Sequence, residues 1–339
     1  MAKILITGAS GFIGSHLTKT LLAENHEVTC LVRPSSPLDR LRQSHVRLAY
    51  GDVTDGDSLP AAFEGQDVVF HLAGSVRAVH VEHLYRVNEE GVRNVASACA
   101  AQAAPPVLVL VSSLAAVGPS RDGQPRVECD PLLPVSHYGR SKRAGERIAR
   151  DWARRVPITI VRPPAVFGEA DPATKKIFAP IARWGVHVVP SWRNFRLSLV
   201  HADDLVSLLV LAAQRGKRLA PDAEEPSALA QGCYFAACDR DPTYAQFGRM
   251  IGYALGRRRT RIVRVGPVII WSLAYASTLA SRLRGRPWYF DRDKAREARA
   301  GSWTCSAAAA SRDLGFSVAA PLSQRLRQTV QWYLENGWL

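Results

Sequence analysis

Tyr138 and Lys142 stand four residues apart in Tyr138-Gly139-Arg140-Ser141-Lys142. Four residues is one helical turn, so the two side chains share a face. Adding a hydride to a carbonyl needs a proton donor at the developing alkoxide, and the reverse reaction needs a base. A phenol with an ordinary pKa of ~10 is a poor base at neutral pH. A neighbouring ammonium stabilises the phenolate and lowers that pKa. The pair therefore reads as an acid/base centre, with Tyr138 moving the proton and Lys142 tuning it. Lys142 can also hydrogen-bond the ribose of a nicotinamide.

A second constellation opens the chain, Thr7-Gly8-Ala9-Ser10-Gly11-Phe12-Ile13-Gly14. It follows an apolar run and precedes a helical pattern, the context a phosphate-binding glycine loop requires. Gly8 suits a tight turn, Gly11 lets backbone approach a pyrophosphate, and Gly14 lets the helix pack close to the sheet. The helix N-terminus would face the phosphates. The end of the second strand reads Leu31-Val32-Arg33, where an acid usually marks NAD. Arg33 would pair with a 2′-phosphate, aided by Arg40 or Arg42, so NADP(H) is the favoured cofactor. If Arg33 only stacks on adenine, NAD(H) fits instead.

These residues need elements to hold them. β-branched runs predict strands at Ile4–Thr7, Glu27–Arg33, Val46–Tyr50, Asp67–His71, Val107–Ser112 and Ile158–Arg162. Helical patterns lie between them, near Phe12–Glu24, Asp57–Glu64, Val81–Gln102 and Ser136–Arg155. The alternation predicts an α/β fold, a Rossmann-type doubly wound parallel sheet. After about residue 165 the rhythm breaks. Residues 1–166, joined by a returning helix within 200–216, read as the dinucleotide-binding core. Residues 167–199 and 226–301 read as a smaller, mostly helical substrate lobe with isolated strands at Gly185–Pro190, Cys233–Ala236 and Arg261–Val265. Residues 302–339 read as a helical tail with Leu322, Leu326, Val330 and Tyr333 on one stripe.

In this order and spacing the motifs resemble the extended short-chain dehydrogenase/reductases, the NAD-dependent epimerase/dehydratase family. The resemblance is strong to about residue 168 and looser beyond. It implies that Asp52 contacts the adenine amine and Val53 packs on the ring. It places Leu72 and Ala73 beside ribose and phosphates, and Asn88 near the nicotinamide unless its amide bonds only to backbone. Pro163 and Val166 belong to the nicotinamide-side segment. Ser113, with Ser112 as the alternative, would hydrogen-bond the substrate oxygen; either hydroxyl could instead cap backbone. His71 reads as a packed strand-end histidine, and Asp203 as a helix N-cap. The family often dimerises through two helices, here those of 81–102 and 136–155, so a homodimer is expected.

Composition limits the partners. The 339 residues are 47% hydrophobic and 22% charged, which excludes wholesale disorder. Six cysteines show no CxxC spacing, so no metal site is read and a reduced, cytoplasmic setting is expected. The N-terminus does not read as a signal peptide and no apolar run is long enough to span a bilayer. The net charge is +14, and 37 of the 44 basic residues are arginine. Eight arginines and no acid fall within Arg257–Arg286, around the apolar Val265–Leu279. That pattern suits an interfacial helix on the inner face of an anionic membrane, or a helix packed inside the lobe with a solvated basic rim. No nucleic-acid motif accompanies the charge, so no nucleic-acid partner is expected.

The apolar segment is similar to the 3β-hydroxysteroid dehydrogenase, dihydroflavonol reductase and hopanoid-associated branch. This implies an alcohol/ketone oxidoreductase of a bulky apolar substrate, sterol- or isoprenoid-like, with sterol C4-decarboxylation as an extension. The alternatives are a nucleotide-sugar epimerase or dehydratase, in which Arg193 or Arg196 would serve the diphosphate, and a non-catalytic, membrane-associated nucleotide-binding protein.

Overall fold

The computed structural model describes all residues except 43–44, 122, 222–224, 287 and 289. The last two fall within the span read as the substrate lobe.

Strands β1 (Lys3–Thr7), β2 (Glu27–Val32), β3 (Arg47–Tyr50), β4 (Val68–His71), β5 (Val107–Val111) and β6 (Ile158–Arg162) lie where the β-branched runs place them. The helices between them are α1 (Phe12–Ala23), the short α2 (Pro60–Phe63), α3 (Val81–Tyr85), α4 (Gly91–Ala100), the single turn α5 (Leu114–Val117) and α6 (His137–Asp151). Beyond β6 come β7 (Ala165–Phe167), α7 (Pro172–Trp184), β8 (Val186–Val189), β9 (Leu199–His201), α8 (Ala202–Arg215), α9 (Pro226–Ala230) and β10 (Cys233–Phe235). The chain closes with α10 (Tyr244–Ala254), β11 (Arg261–Arg264), α11 (Pro267–Arg284), α12 (Arg292–Arg299), α13 (Ala308–Leu314) and α14 (Leu322–Glu335).

The main sheet is parallel throughout, in the order β3-β2-β1-β4-β5-β6-β10. Apart from the edge strand β3, whose residues are exposed or half-buried, its strands are buried on both faces because helices cover both. Ile4 and Ile6 point to one core with Leu17 and Leu21 of α1 and Leu205 and Leu209 of α8. Leu5 points to the other, with Val92, Val95 and Ile148 of α4 and α6. A period of two thus splits one strand between two cores. The strand order reverses between β1 and β4, and a crevice opens at the carboxyl ends there.

Several expectations need correction. The run Cys233–Ala236, read as an isolated strand of the lobe, instead extends the core sheet by pairing with β6. Its side chains are apolar on both faces, so it is stable only as an interior-covered strand. The helix read over Val81–Gln102 is broken by a π-helical turn at Arg86–Glu90, and the one over Asp57–Glu64 is a 3₁₀ turn followed by α2. The other two strands read as isolated, β8 and β11, pair with each other in parallel. Residues 302–339 are woven into the body. Trp303 and Cys305 bridge to Leu197 and Arg126. Leu322, Leu326, Val330 and Tyr333 of α14 bury their stripe against Phe178 of α7 and Phe247 and Ile251 of α10.

One buried ion pair ties α6 to the sheet. Arg162, at the end of β6, donates through Nε to Glu146 Oε1 at 2.9 Å and through the second guanidinium nitrogen to Oε2 at 2.7 Å. Both residues are 1% exposed. Removing one partner of such a pair leaves an uncompensated buried charge and costs about 3–5 kcal/mol. Glu146→Gln should therefore lower unfolding free energy by about that amount in a urea titration; an unchanged midpoint would show the pair to be dispensable.

Candidate active site

The glycine loop turns at Gly8, whose φ of +75° lies in the left-handed region. A side chain at Gly14 would place its Cβ 2.3 Å from the Gly8 carbonyl oxygen, so only glycine lets α1 start this close to β1. Helix α1 begins at Gly11 with no side-chain cap and no acid in its first turn. Its first N–H groups are left for an anion. Gly11 is exposed, Phe12 and Ile13 are half-buried, and Ile13 packs on the core behind the loop.

The crevice above this loop is lined by Gly8, Ser10, Gly11, Leu31, Arg33 and Val53, among others. Asp52 sits on its wall. One carboxylate oxygen accepts from the Thr54 amide and hydroxyl, both at 2.9 Å, and the other oxygen has no partner among the described residues. Val53 is buried, and its carbonyl accepts from Asn94. Leu72 and Ala73 form the opposite wall, and the Ala73 amide donates to Thr7. Uncapped helix amides, an acid with a spare oxygen and flanking apolar walls fit a dinucleotide with its adenine at the β2–β3 side.

Arg33 is exposed at the rim and makes no ion pair among the described residues. Its expected helpers are engaged elsewhere. Arg40 donates to the Ala170 carbonyl at 2.6 Å, and Arg42 pairs with Asp39 at 3.3 Å.

Ser136 N-caps α6 by accepting from the Gly139 amide. Tyr138 and Lys142 then lie one turn apart, as the spacing predicts. The Ser113 hydroxyl oxygen accepts from the Ala115 amide at 3.1 Å to cap α5, and the hydroxyl neighbours the Tyr138 phenol, whose pKa it lowers. Ser112 is 4% exposed, and its buried hydroxyl has no hydrogen-bond partner among the described residues. The geometry thus selects Ser113 over Ser112.

Desolvation raises the phenol's pKa, while the Ser113 hydroxyl and the Lys294 charge oppose the rise and Glu297 adds to it. Lys142 behaves differently from expectation. Its ammonium donates to the Val111 carbonyl at 2.9 Å, and burial lowers its pKa to about 8, partly countered by Glu146. Lys294 Nζ stands 5.7 Å from the centre of the Tyr138 ring, a neighbour the YxxxK reading misses because it lies on another helix. Lys142 sits near Gly74 and Asn88 on the crevice floor, where a ribose hydroxyl would pass.

Asn88 lies in the π-helical turn and is 1% exposed. It accepts from the Ser75 amide at 2.9 Å and donates to the Ser75 carbonyl and Ser141 hydroxyl at 2.8 and 2.9 Å. Its amide is committed to holding the 74–75 loop against α6. His71 accepts from Thr7 at 2.7 Å, and burial plus Lys142 lower its pKa to about 3. It is a neutral packed histidine, as read. Pro163 is buried and its carbonyl accepts from the Leu114 amide at 2.9 Å. Val166, in β7, is half-buried against the core. Asp203 is not the N-cap of α8; His201 is, accepting from the Asp203 amide.

A second cleft has Tyr138 in its wall. It is lined by Val76, Ala78, Val79 and Leu84, by Thr278 and Ser281 of α11, and by Trp288 and residues of α12. Arg196, considered above for a sugar diphosphate, lines a different hollow with Arg240 and Asp241 and donates to the Asp241 carbonyl.

The sequence profile of the NAD dependent epimerase/dehydratase family matches residues 4–223. Among curated proteins the chain is similar to a ceramide reductase of Caulobacter vibrioides, 32% identical over 336 residues, covering 99% of this chain and 96% of that one. It is also similar to a 3 beta-hydroxysteroid dehydrogenase/Delta 5→4-isomerase of Mycobacterium tuberculosis, 27% identical, covering 98% and 91%. Among solved structures, a UDP-glucose 4-epimerase of Thermotoga maritima superposes with a TM-score of 0.77 at 19% identity, covering 98% and 99%. A dTDP-glucose 4,6-dehydratase of Bacillus anthracis, solved with NAD, gives 0.75 at 18%, covering 100% and 98%.

Gly14→Val should weaken NADPH binding by at least roughly tenfold in a fluorescence titration while unfolding stays cooperative, because it disrupts the phosphate turn alone. Unaltered affinity would remove the loop from the cofactor site.

Proposed function

The chain belongs to the NAD-dependent epimerase/dehydratase family, an enzyme of the extended short-chain dehydrogenase/reductase type, and we propose that it interconverts a ketone and a secondary alcohol on a long-chain or polycyclic lipid, using NADP(H). The observation that carries the reading is the cleft of Tyr138, which runs from the phenol to α11. Most of that helix's outward face is apolar. Val268 is 77% exposed and Leu283 80%, with Ile269, Leu273, Tyr275 and Leu279 between them. The full-length likeness to a ceramide reductase supports an amide lipid of that class, and the steroid dehydrogenase likeness supports a sterol as the second substrate to try.

In the reducing direction the nicotinamide, when bound, supplies the hydride. Tyr138, kept neutral by its desolvated setting, holds the proton for the ketone oxygen. Ser113 offers a hydroxyl to the same oxygen. Lys142 holds the ribose side of the site and Asn88 fixes the loop beneath it. In the oxidising direction Tyr138 takes the proton back. Arg33, without an acid beside it, supports NADP(H) over NAD(H).

The same helix supports a membrane partner. No helix among the described residues is long and apolar enough to cross a bilayer. Helix α11 instead buries only Ile270, Ala274 and Ser281 and turns its larger apolar side chains outward. Trp192 stands 66% exposed against Gly266 at its start, and arginines flank both ends. An anionic bilayer surface matches that combination of apolar face and basic rim.

Turnover of ceramide- and sterol-class ketones with NADPH tests the reading, and Tyr138→Phe should abolish it while cofactor still binds. If the preparation holds nicotinamide through gel filtration and epimerises UDP-sugars without net redox, the nucleotide-sugar alternative replaces it. Arg33→Ala should lower kcat/KM for NADPH by about 10- to 100-fold, the value of a charge-assisted phosphate contact, and leave NADH within a few-fold. An equal loss for both cofactors would assign Arg33 to adenine.

Vesicles of phosphatidylglycerol and phosphatidylcholine should co-sediment the protein at low salt, and salt or Leu273→Asp with Leu279→Asp should release it. Dimer formation lost in the same double variant, with no vesicle binding, would make α11 a subunit contact instead.

A further inference from the structure

Helix α12 is clamped to the first turn of the catalytic helix by its acids. The Tyr138 amide donates to Asp293 Oδ2 at 3.1 Å, and the Ser136 hydroxyl donates to Glu297 Oε1 at 2.6 Å. The second Glu297 oxygen accepts from Lys294 at 2.6 Å, and Asp293 pairs with Arg296 at 2.9 Å. Lys294 Nζ thereby stands 5.7 Å from the centre of the Tyr138 ring. Two carboxylates on a helix 155 residues downstream thus fix a cation over the phenol.

We propose that Lys294 is a positioning residue for the reaction: its ammonium, set by Glu297, biases the ionisation of Tyr138 from across the substrate cleft. The proposal rests on Tyr138 being the acid/base group, and not on the identity of the lipid. The other charged groups around the phenol do not take this place. On its own helix, Lys142 is directed to the Val111 carbonyl and His137 precedes the phenol in the chain. His71, from β4, is neutral and beside Lys142. Arg77 and, from α11, Arg282 line the cleft, and Arg292 lies over the Tyr275 ring at 4.8 Å. The balance at the phenol is then a cation from Lys294, which favours phenolate, against the anion of Glu297, which disfavours it.

The opposed signs give a test that needs no substrate. The full chain, labelled with ¹³Cζ-tyrosine and saturated with NADP⁺, is titrated by NMR, with Tyr138→Phe identifying the resonance. Lys294→Met should move the Tyr138 midpoint up by roughly one pH unit. Lys294→Arg should leave it near the wild-type value. Glu297→Gln keeps an oxygen for Ser136 but removes the negative charge, and should move the midpoint down. A midpoint unmoved in Glu297→Gln and Lys294→Met would overturn the proposal, leaving α12 as packing only. If Lys294→Met does not fold, the downward shift in Glu297→Gln and the retained value in Lys294→Arg carry the test, and failure of either overturns it. Loss of lipid turnover in every protein, with these shifts present, would refute the substrate reading and leave this one standing.

Discussion

The pair between Arg162 and Glu146 is the constraint on which the site's geometry depends. It is fully desolvated and bidentate, so it fixes both the distance and the rotation of α6 relative to β6. Glu146 lies one turn beyond Lys142 and two beyond Tyr138 on that helix. A rotation that broke the pair would carry the lysine off the Val111 carbonyl and the phenol off Ser113. The pair also feeds the chemistry directly, since the Glu146 charge opposes the burial that lowers the Lys142 pKa. Held this way, the lysine can remain protonated near neutral pH in a site that is otherwise too dry for it.

Three layers of support then converge on one phenol. The sheet presents Ser113 at the end of β5, the π-helical turn locks Asn88 between the 74–75 loop and Ser141, and α12 closes from the substrate side. π-turns cost backbone hydrogen-bond geometry and persist where a side chain must be swung into place. Here Asn88 is that side chain, and its three hydrogen bonds explain why the turn survives. The cofactor side is thus rigid before any substrate arrives, whereas the lobe side joins it through side-chain bonds from α12.

What could be read from sequence follows the range of each interaction. The glycine loop, the six core strands and the Tyr138/Lys142 spacing are local patterns, and they stand where local geometry puts them. Cys233–Phe235 was legible as a strand but not as a member of the core sheet, because its pairing to β6 is a contact made across more than seventy residues. Asp293, Lys294 and Glu297 were invisible for the same reason. In Arg292–Arg299 they look like an ordinary solvated charged helix, and only the fold brings them to Ser136 and Tyr138. Arg40 and Arg42 show the reverse failure. Nearness to Arg33 in sequence suggested shared work, but Ala170 and Asp39 claim them.

The same distinction reframes the charge of +14. Arginines with committed partners, such as Arg162 with Glu146 or Arg325 with Asp204, are internal ties and say nothing about a partner molecule. Around α11, Arg257 and Arg264 are likewise tied to carbonyls of the lobe, while the helix presents leucine, isoleucine, valine and tyrosine to the outside. A solvated basic rim would need a polar face within it. Here the rim surrounds an apolar face larger than an isolated exposed leucine requires. The cleft beside this face ends at Tyr138. Helix α12, which lines that cleft, is also the helix that carries Lys294 over the phenol ring.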